Sequence, residues 1–293
     1  MYLSFDLLSN ALVSGLLLGG LYAAVTIGVS ISFGMLDIVN IAHPAFIILG
    51  SYTAYIANSV FGFDPILSSV GLTPAFYLLG IAIYYVYDVS FERRGDASIR
   101  GLAFFFGLLF ITEVTLVLVF GVDYRLVDAP YNGPSLHVGP VDLPLRLLVP
   151  FLVSMVLVGA LQIYISRTFI GRAIQAVAQD PSALRLMAAD PRRIKRIAFG
   201  LSIASASVAG AILIVIQPVE PSIARDYIGR IFAICVMGGL GSFGGTVVAA
   251  MILGIMESLT STFYGPSWSP AVAFGFLLLT LAVRPAGLFG RRS

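Results

Sequence analysis

Stretches of about twenty apolar residues recur from one end of this chain to the other, and few folds are open to such a pattern. They fall at 7–31, 41–60, 66–87, 101–121, 145–165, 196–217, 231–263 and 270–284. A helix rises about 1.5 Å per residue, so about 20 residues cross the hydrocarbon core of a bilayer. Inside lipid each backbone N–H and C=O must find a partner within the protein, and a helix pairs its own. The pattern predicts an all-α polytopic membrane protein with seven or eight transmembrane helices. Charged residues make up 11% of the 293-residue chain, against about 25% in a soluble domain. No interval between the apolar runs is long enough for a soluble domain, so residues 1–293 are expected to form a single transmembrane domain. The opening MYLSFDLLSN lacks the basic start of a signal peptide, and its apolar run is expected to stay in the bilayer as a helix.

Basic residues orient these helices. Thirteen of the seventeen lie at 93–100, 167–196 and 284–292, and short basic connections stay on the cytoplasmic side. The connection 122–144, rich in Pro, Gly and Asp, then lies outside, and counting back places the N-terminus outside as well. Counting forward leaves the basic C-terminus on the wrong side unless 231–263 turns back on itself. MGGLGSFGG in its middle would interrupt a helix, so a re-entrant hairpin is expected there, buried in protein or lining a wet cavity. Short basic loops are not the continuous basic face that nucleic acid requires, and no nucleic-acid role is expected. The single cysteine, Cys235, excludes an internal disulfide.

Small residues recur every fourth position in two of the runs: Ala11, Gly15, Gly19 and Ala23 in the first, and Ala198, Ser202, Ala206 and Gly210 in the sixth. Such stripes let helix backbones approach closely in lipid. Each precedes a Gly-broken segment, FGMLDIVNIAHPAF after the first and MGGLGSFGGTVVAA after the second. This suggests an internal repeat, in the inverted form that brings two broken helices together near the midplane of many transporters.

The first broken segment sets Asp37, Asn40 and His43 three residues apart. Asp and His are common metal ligands, but two without a third nearby make a weak site, and neither a metal nor another cofactor is expected. Pro44 disfavours helix at His43 and fits the first turn of the helix that follows. Asp37, Asn40 and the His43 ring are then expected to satisfy backbone groups that a broken helix leaves unpaired. Glu113 and Glu257 fall inside or at the edge of apolar runs. A carboxylate at a lipid-facing helix centre costs about 2.5 to 3.5 kcal/mol, so both are expected to face protein or a wet path, either bridging helices or carrying protons or solute. In the basic segment 166–196, Asp180-Pro181 and Asp190-Pro191 each read as an N-cap followed by the first helical residue. They enclose a short helix at 181–188, where Leu184, Arg185 and Met187 mix apolar and charged groups as a docking surface does. No GxxxxGK[ST] phosphate loop and no Ser/His/Asp or paired-carboxylate constellation occurs, so the chain does not read as an enzyme.

Three longer stretches, GLLLGGLYAAVTIGVSISFGMLDIVNIAHPAFIILGSY, TFIGRAIQAVAQDPSALRLM and VMGGLGSFGGTVVAAMILGIMES, stand in this order along nearly the whole chain. In them the chain resembles the permease subunits of branched-chain amino acid ABC importers. The resemblance implies a channel-forming subunit in a bacterial inner membrane. Its implied partners are a second, similar permease, two cytoplasmic ATPases that hydrolyse the ATP, and a periplasmic solute-binding protein. The helix 181–188 becomes by resemblance the coupling helix that fits a groove on an ATPase, with Arg172, Asp180 and Pro181 in the same coupling region. The two Gly-broken segments become the lining or support of the translocation path: Gly34, Asp37, Asn40 and His43 in one, and Gly238, Gly239, Gly241, Ser242, Gly244 and Gly245 in the other. Family members usually carry Gly after the His of the first motif, where this chain has Pro44, and a Gly-Ile pair where it has AADP. Relatives move branched-chain or other amino acids, urea and short amides, or aromatic acids. The competing readings are a stand-alone proton-coupled transporter built on Asp37, Glu113 and Glu257, and a passive channel, which lacks a recognisable charged selectivity ring.

Overall fold

The computed structural model describes residues 5–94, 99–138, 141–180, 185, 189–284 and 286–290. Among these residues the chain forms ten α-helices: α1 (Phe5–Ser32), α2 (His43–Phe61), α3 (Pro65–Ser90), α4 (Ile99–Phe120), α5 (Leu145–Arg167), α6 (Phe169–Gln179), α7 (Pro191–Ile216), α8 (Ala224–Gly238), α9 (Phe243–Tyr264) and α10 (Ser269–Val283). All but α6 and α8 are long and apolar enough to cross a bilayer, α10 together with the 3-10 turn Pro266–Trp268 before it. A two-stranded antiparallel hairpin, β1 (Ser135–Val138) and β2 (Val141–Pro144), sits in the connection between α4 and α5.

Local chemistry sets the helix starts. Asp64 Oδ1 accepts from the N–H groups of Ile66 and Leu67, with Pro65 in the first turn of α3. Asp190 does the same for Arg192, with Pro191 opening α7. Each side-chain oxygen pairs an N–H that a helix terminus leaves orphaned. In α2, Pro44 occupies the first turn, where its missing N–H costs nothing.

The two ends of the bundle are distinguished by their contacts. At one end Asp88 of α3 meets Arg93 and Arg192, Glu92 meets Lys195, and the segment 286–290 runs against the end of α8; this is the basic end. At the opposite end Asn10 accepts from the backbone of Asp142 in the hairpin, and Arg125 pairs its backbone with Val219. The N-terminal end of α1 and the connection 122–144 therefore share that side. Helices α1 and α7 form the centre: 89% of the most apolar stretch of α7 and 72% of that of α1 are buried, against 22% for each of α3, α4 and α5.

The second Gly-rich segment differs from expectation. The chain between 217 and 264 is two antiparallel helices, α8 coming from the opposite end and α9 returning to it, and the break Gly239–Ser242 lies at the basic end. Helix α8 is about 22 Å long at 15 residues, so the pair reaches the basic end and is not a shallow re-entrant dip from the opposite side. Arg225, Asp226 and Arg230 in its first half hide it from a hydropathy reading. With it, the C-terminal segment reaches the basic end by ordinary alternation.

The helix contacts correspond in part as an inverted repeat would, with different partners from those expected. The two most extensive helix pairs are α1 with α9 and α7 with α3. Matching α1–α4 onto α7–α10 with direction reversed carries the first pair onto the second. Under this matching the non-helical stretch 33–42 at the basic end corresponds to 217–223 at the opposite end. The Gly-rich break at 239–242 is the counterpart of the connection between α2 and α3. The two Gly-rich segments do meet, Gly34 against Gly241, but beyond the last turn of α1 and not near the midplane.

Candidate functional site

Helices α1, α8 and α9 share a seam with polar groups along its length. At the basic end Gly34 lies so close to Gly241 that a Cβ on Gly34 would collide with the Gly241 backbone. Gly239 and Gly241 have φ of 94° and 78°, a region L side chains rarely adopt. Gly238 stacks on Gly245, and Ser242 Oγ accepts from the Gly245 N–H at 3.1 Å, capping α9. Gly244 points into open space. Leu288 and Phe289 donate their backbone N–H groups to Met237 and Gly238 at 2.7 and 3.2 Å, pairing carbonyls at the end of α8. A cavity of about 370 Å³ opens here, lined by Gly34, Met35, Gly241, Ser242, Phe289 and the Gln175 and Gln179 side of α6.

Deeper in the seam, Ser30 Oγ lies 2.9 Å from Thr246 Oγ1 and 3.7 Å from Cys235 Sγ. Beyond them Ile231 and Ile234 of α8 and Ala250 and Leu253 of α9 are fully buried and apolar. Then comes a charged cluster. Arg230 Nε donates to Glu257 Oε1 at 3.1 Å, the Tyr22 hydroxyl donates to Glu257 Oε2, and Gln217 Nε2 donates to the Tyr227 hydroxyl at 2.8 Å. The Arg230 guanidinium stands 5.6 Å from the Tyr227 ring centre. These groups line a second cavity of about 370 Å³ near the opposite end. The seam thus holds a polar cavity at each end and a packed layer between them.

The first broken segment sits mainly beside this seam. Asp37 is exposed, has φ 57°, and makes no hydrogen bond among the described residues. Asn40 is buried and its Oδ1 accepts from the Ala42 N–H at 3.1 Å, so of the three polar residues it is the one that pairs a backbone group. His43 is the first residue of α2, fully buried, with its ring against Gly28 and near Ser205; neither ring nitrogen has a partner among the described residues. Of this segment, Gly34 and Met35 reach the basic-end cavity.

Both membrane carboxylates bridge helices. Glu113 of α4 takes a two-pronged bond from Arg225 of α8, Nε at 3.0 Å and Nη2 at 2.5 Å. Glu257 of α9 ties α8 and α1 through Arg230 and Tyr22. Sequence reasoning missed Arg225 and Arg230, along with buried Asp88. The signal was available: Arg125, Arg146, Arg225 and Arg230 are the basic residues outside the three basic segments, so the positive-inside rule gives no reason for them.

A family model described as the branched-chain amino acid transport system / permease component matches residues 11–281. The chain belongs to that family. It is similar to the high-affinity branched-chain amino acid transport system permease protein BraD of Pseudomonas aeruginosa, 29% identical over 96% of this chain and 95% of that one. It is also 27% identical to permease protein LivH of Escherichia coli K12, over 95% of this chain and 94% of that one. Permease protein LivM of the same organism is 27% identical over 92% of this chain and 67% of LivM. No solved structure matches.

Within this permease the region expected to couple begins with α6, an amphipathic helix not anticipated as such. Thr168 Oγ1 caps it by accepting from the Gly171 N–H at 3.0 Å, and Arg172 is exposed on it. Asp180 follows α6, its backbone N–H donating to Ala176. Pro181, Leu184 and Met187 lie outside the described residues; Arg185 is helical and exposed.

Proposed function

We propose that this chain is the membrane permease subunit of an ATP-driven importer, passing branched-chain amino acids or related small polar solutes along the α1–α8–α9 seam. The observation that supports the route is the pair of polar cavities at opposite ends of one seam, closed by a packed layer, in a chain whose family match spans 11–281. Such a layer opens when α8 and α9 shift against α1, and the glycines at the basic end lie where that shift would hinge. With no phosphate loop of its own, the permease takes its energy from two ATPase subunits. These dock at 181–188 and its flanks, through Arg172, Asp180, Pro181, Leu184, Arg185 and Met187. Motion there has a direct path inward: the first turns of α7 are tied to the end of α3 by Arg192 with Asp88 at 3.6 Å and Lys195 with Glu92 at 2.5 Å. The remaining partners are a second permease, as the similarity to both LivH and LivM suggests, and a solute-binding protein at the opposite end. The host membrane is a bacterial inner membrane with the basic end in the cytoplasm.

Purification from native membranes with an ATPase subunit, and leucine uptake into proteoliposomes only with ATP and the binding protein, are the expected results. Uptake by this chain alone, driven by a pH gradient, would sink the reading. Arg185→Glu should lower uptake severalfold while the protein remains in the membrane.

A further inference from the structure

We infer that Arg230 reads the carboxylate of the transported solute in the opposite-end cavity, an inference that rests on the importer reading. Arg230 and Glu257 lie six and seven residues from the ends of α8 and α9 nearest the opposite side, about 10 Å in. Stability alone does not account for an ion pair there, because well-packed apolar residues in its place are often as stable or more so.

The bonding is asymmetric. Glu257 has both oxygens bonded, one by Arg230 Nε and the other by Tyr22. The guanidinium gives Glu257 only its Nε, and its two Nη groups have no hydrogen-bond partner among the described residues. They are also absent from the fully buried unpaired atoms, so they keep some accessible surface on a residue that lines the cavity. Two N–H groups on one planar edge fit a carboxylate in two-pronged fashion. The Tyr227 ring, held by Gln217, lies against the guanidinium and narrows its positions. Arg225 on the same helix is the internal contrast: both Nε and Nη2 are taken by Glu113.

Charge balance suits passage. Glu257 offsets the arginine at rest, so a carboxylate is drawn to an oriented donor pair and not to a bare charge, and can leave again. A cavity of about 370 Å³ is at the small end of ligand sites, which run from about 300 Å³ upward. Ser14, Ser261 and Ser269 add hydroxyls, and Leu18, Leu147 and Pro266 add apolar wall.

The test uses the complete transporter. By equilibrium dialysis in the absence of binding protein, the wild-type complex should bind leucine and 4-methylpentanoate at least tenfold more tightly than leucinamide, which lacks the carboxylate. In proteoliposomes R230Q should lose about tenfold in leucine uptake, R230K should keep part of it, and E257Q should hold leucine more tightly. Equal binding of leucine and leucinamide, or wild-type uptake by R230Q, overturns the inference. If R230Q fails to accumulate, the leucine and leucinamide comparison on wild type still decides. Absence of ATP-driven uptake in wild type overturns the importer reading, and the dialysis result then judges Arg230 separately.

Discussion

Gly241 and Gly244 stand three residues apart and answer to different physics. Gly241 combines φ 78° with a neighbour, the Gly34 carbonyl oxygen, 2.8 Å from where a Cβ would be. Gly241→Ala therefore adds a left-handed strain of about 1–2 kcal/mol to a steric clash, and should lower the melting temperature of the purified protein. Gly244 lies in the first turn of α9 with ordinary backbone and nothing within 4 Å of a Cβ. Gly244→Ala should leave stability unchanged or raise it by about 0.4–1 kcal/mol, since alanine gives up less chain entropy. Melting temperatures falling together in both variants would contradict this account. The sequence made this cluster visible as a run of glycines but could not rank its members, because rank depends on φ and on what lies opposite. The same limit hid the fates of Asp37 and Asn40: both are short polar residues before a helix, and only the path of the chain decides which one turns inward.

At the scale of the helix, the contact between α1 and α9 is built on Gly15, Gly19 and Gly254. A Cβ on Gly254 would sit 2.5 Å from the Gly15 carbonyl oxygen and the Gly19 nitrogen, backbone atoms that no rotamer change can move. Close packing of this kind drives association of helices in lipid. Gly254→Ala should sharply reduce the fraction eluting as a single species in size-exclusion chromatography after detergent extraction. Gly275→Ala in α10, with nothing within 4 Å, should elute as wild type does. The four-residue stripe in α1 was readable from sequence because its period is that of the helix. Its partner was not, since spacing says which face packs and not against what. Helix α8 was missed for a related reason: its arginines lower its hydropathy, and their carboxylate partners stand 112 and 27 residues away.

For the molecule as a whole, the position of the 239–242 turn separates two topologies. In intact spheroplasts, Phe63→Cys and Ser267→Cys should react with a membrane-impermeant maleimide, and Leu240→Cys should react only after permeabilisation; native Cys235 is buried and should stay silent. Labelling of Leu240→Cys from outside would restore a hairpin dipping in from the opposite face. The count of long apolar helices and the basic end were legible from composition and charge alone, which act residue by residue. The repeat relation was only half legible, because it lives in which helices touch.

The reversal of α7–α10 against α1–α4 bears on how the chain enters the membrane during synthesis. Helices α1–α4 and α7–α10 run in opposite directions, so the packing between these two sets gives the insertion machinery a weak sense of direction, although α5 and α6 have no counterpart and α8 is shorter than α2. The short arginine-rich connections are then expected to decide which way up the bundle sits. Shifting those charges from the start of α7 to the 217–223 connection should yield a mixed population of orientations with the bundle itself intact.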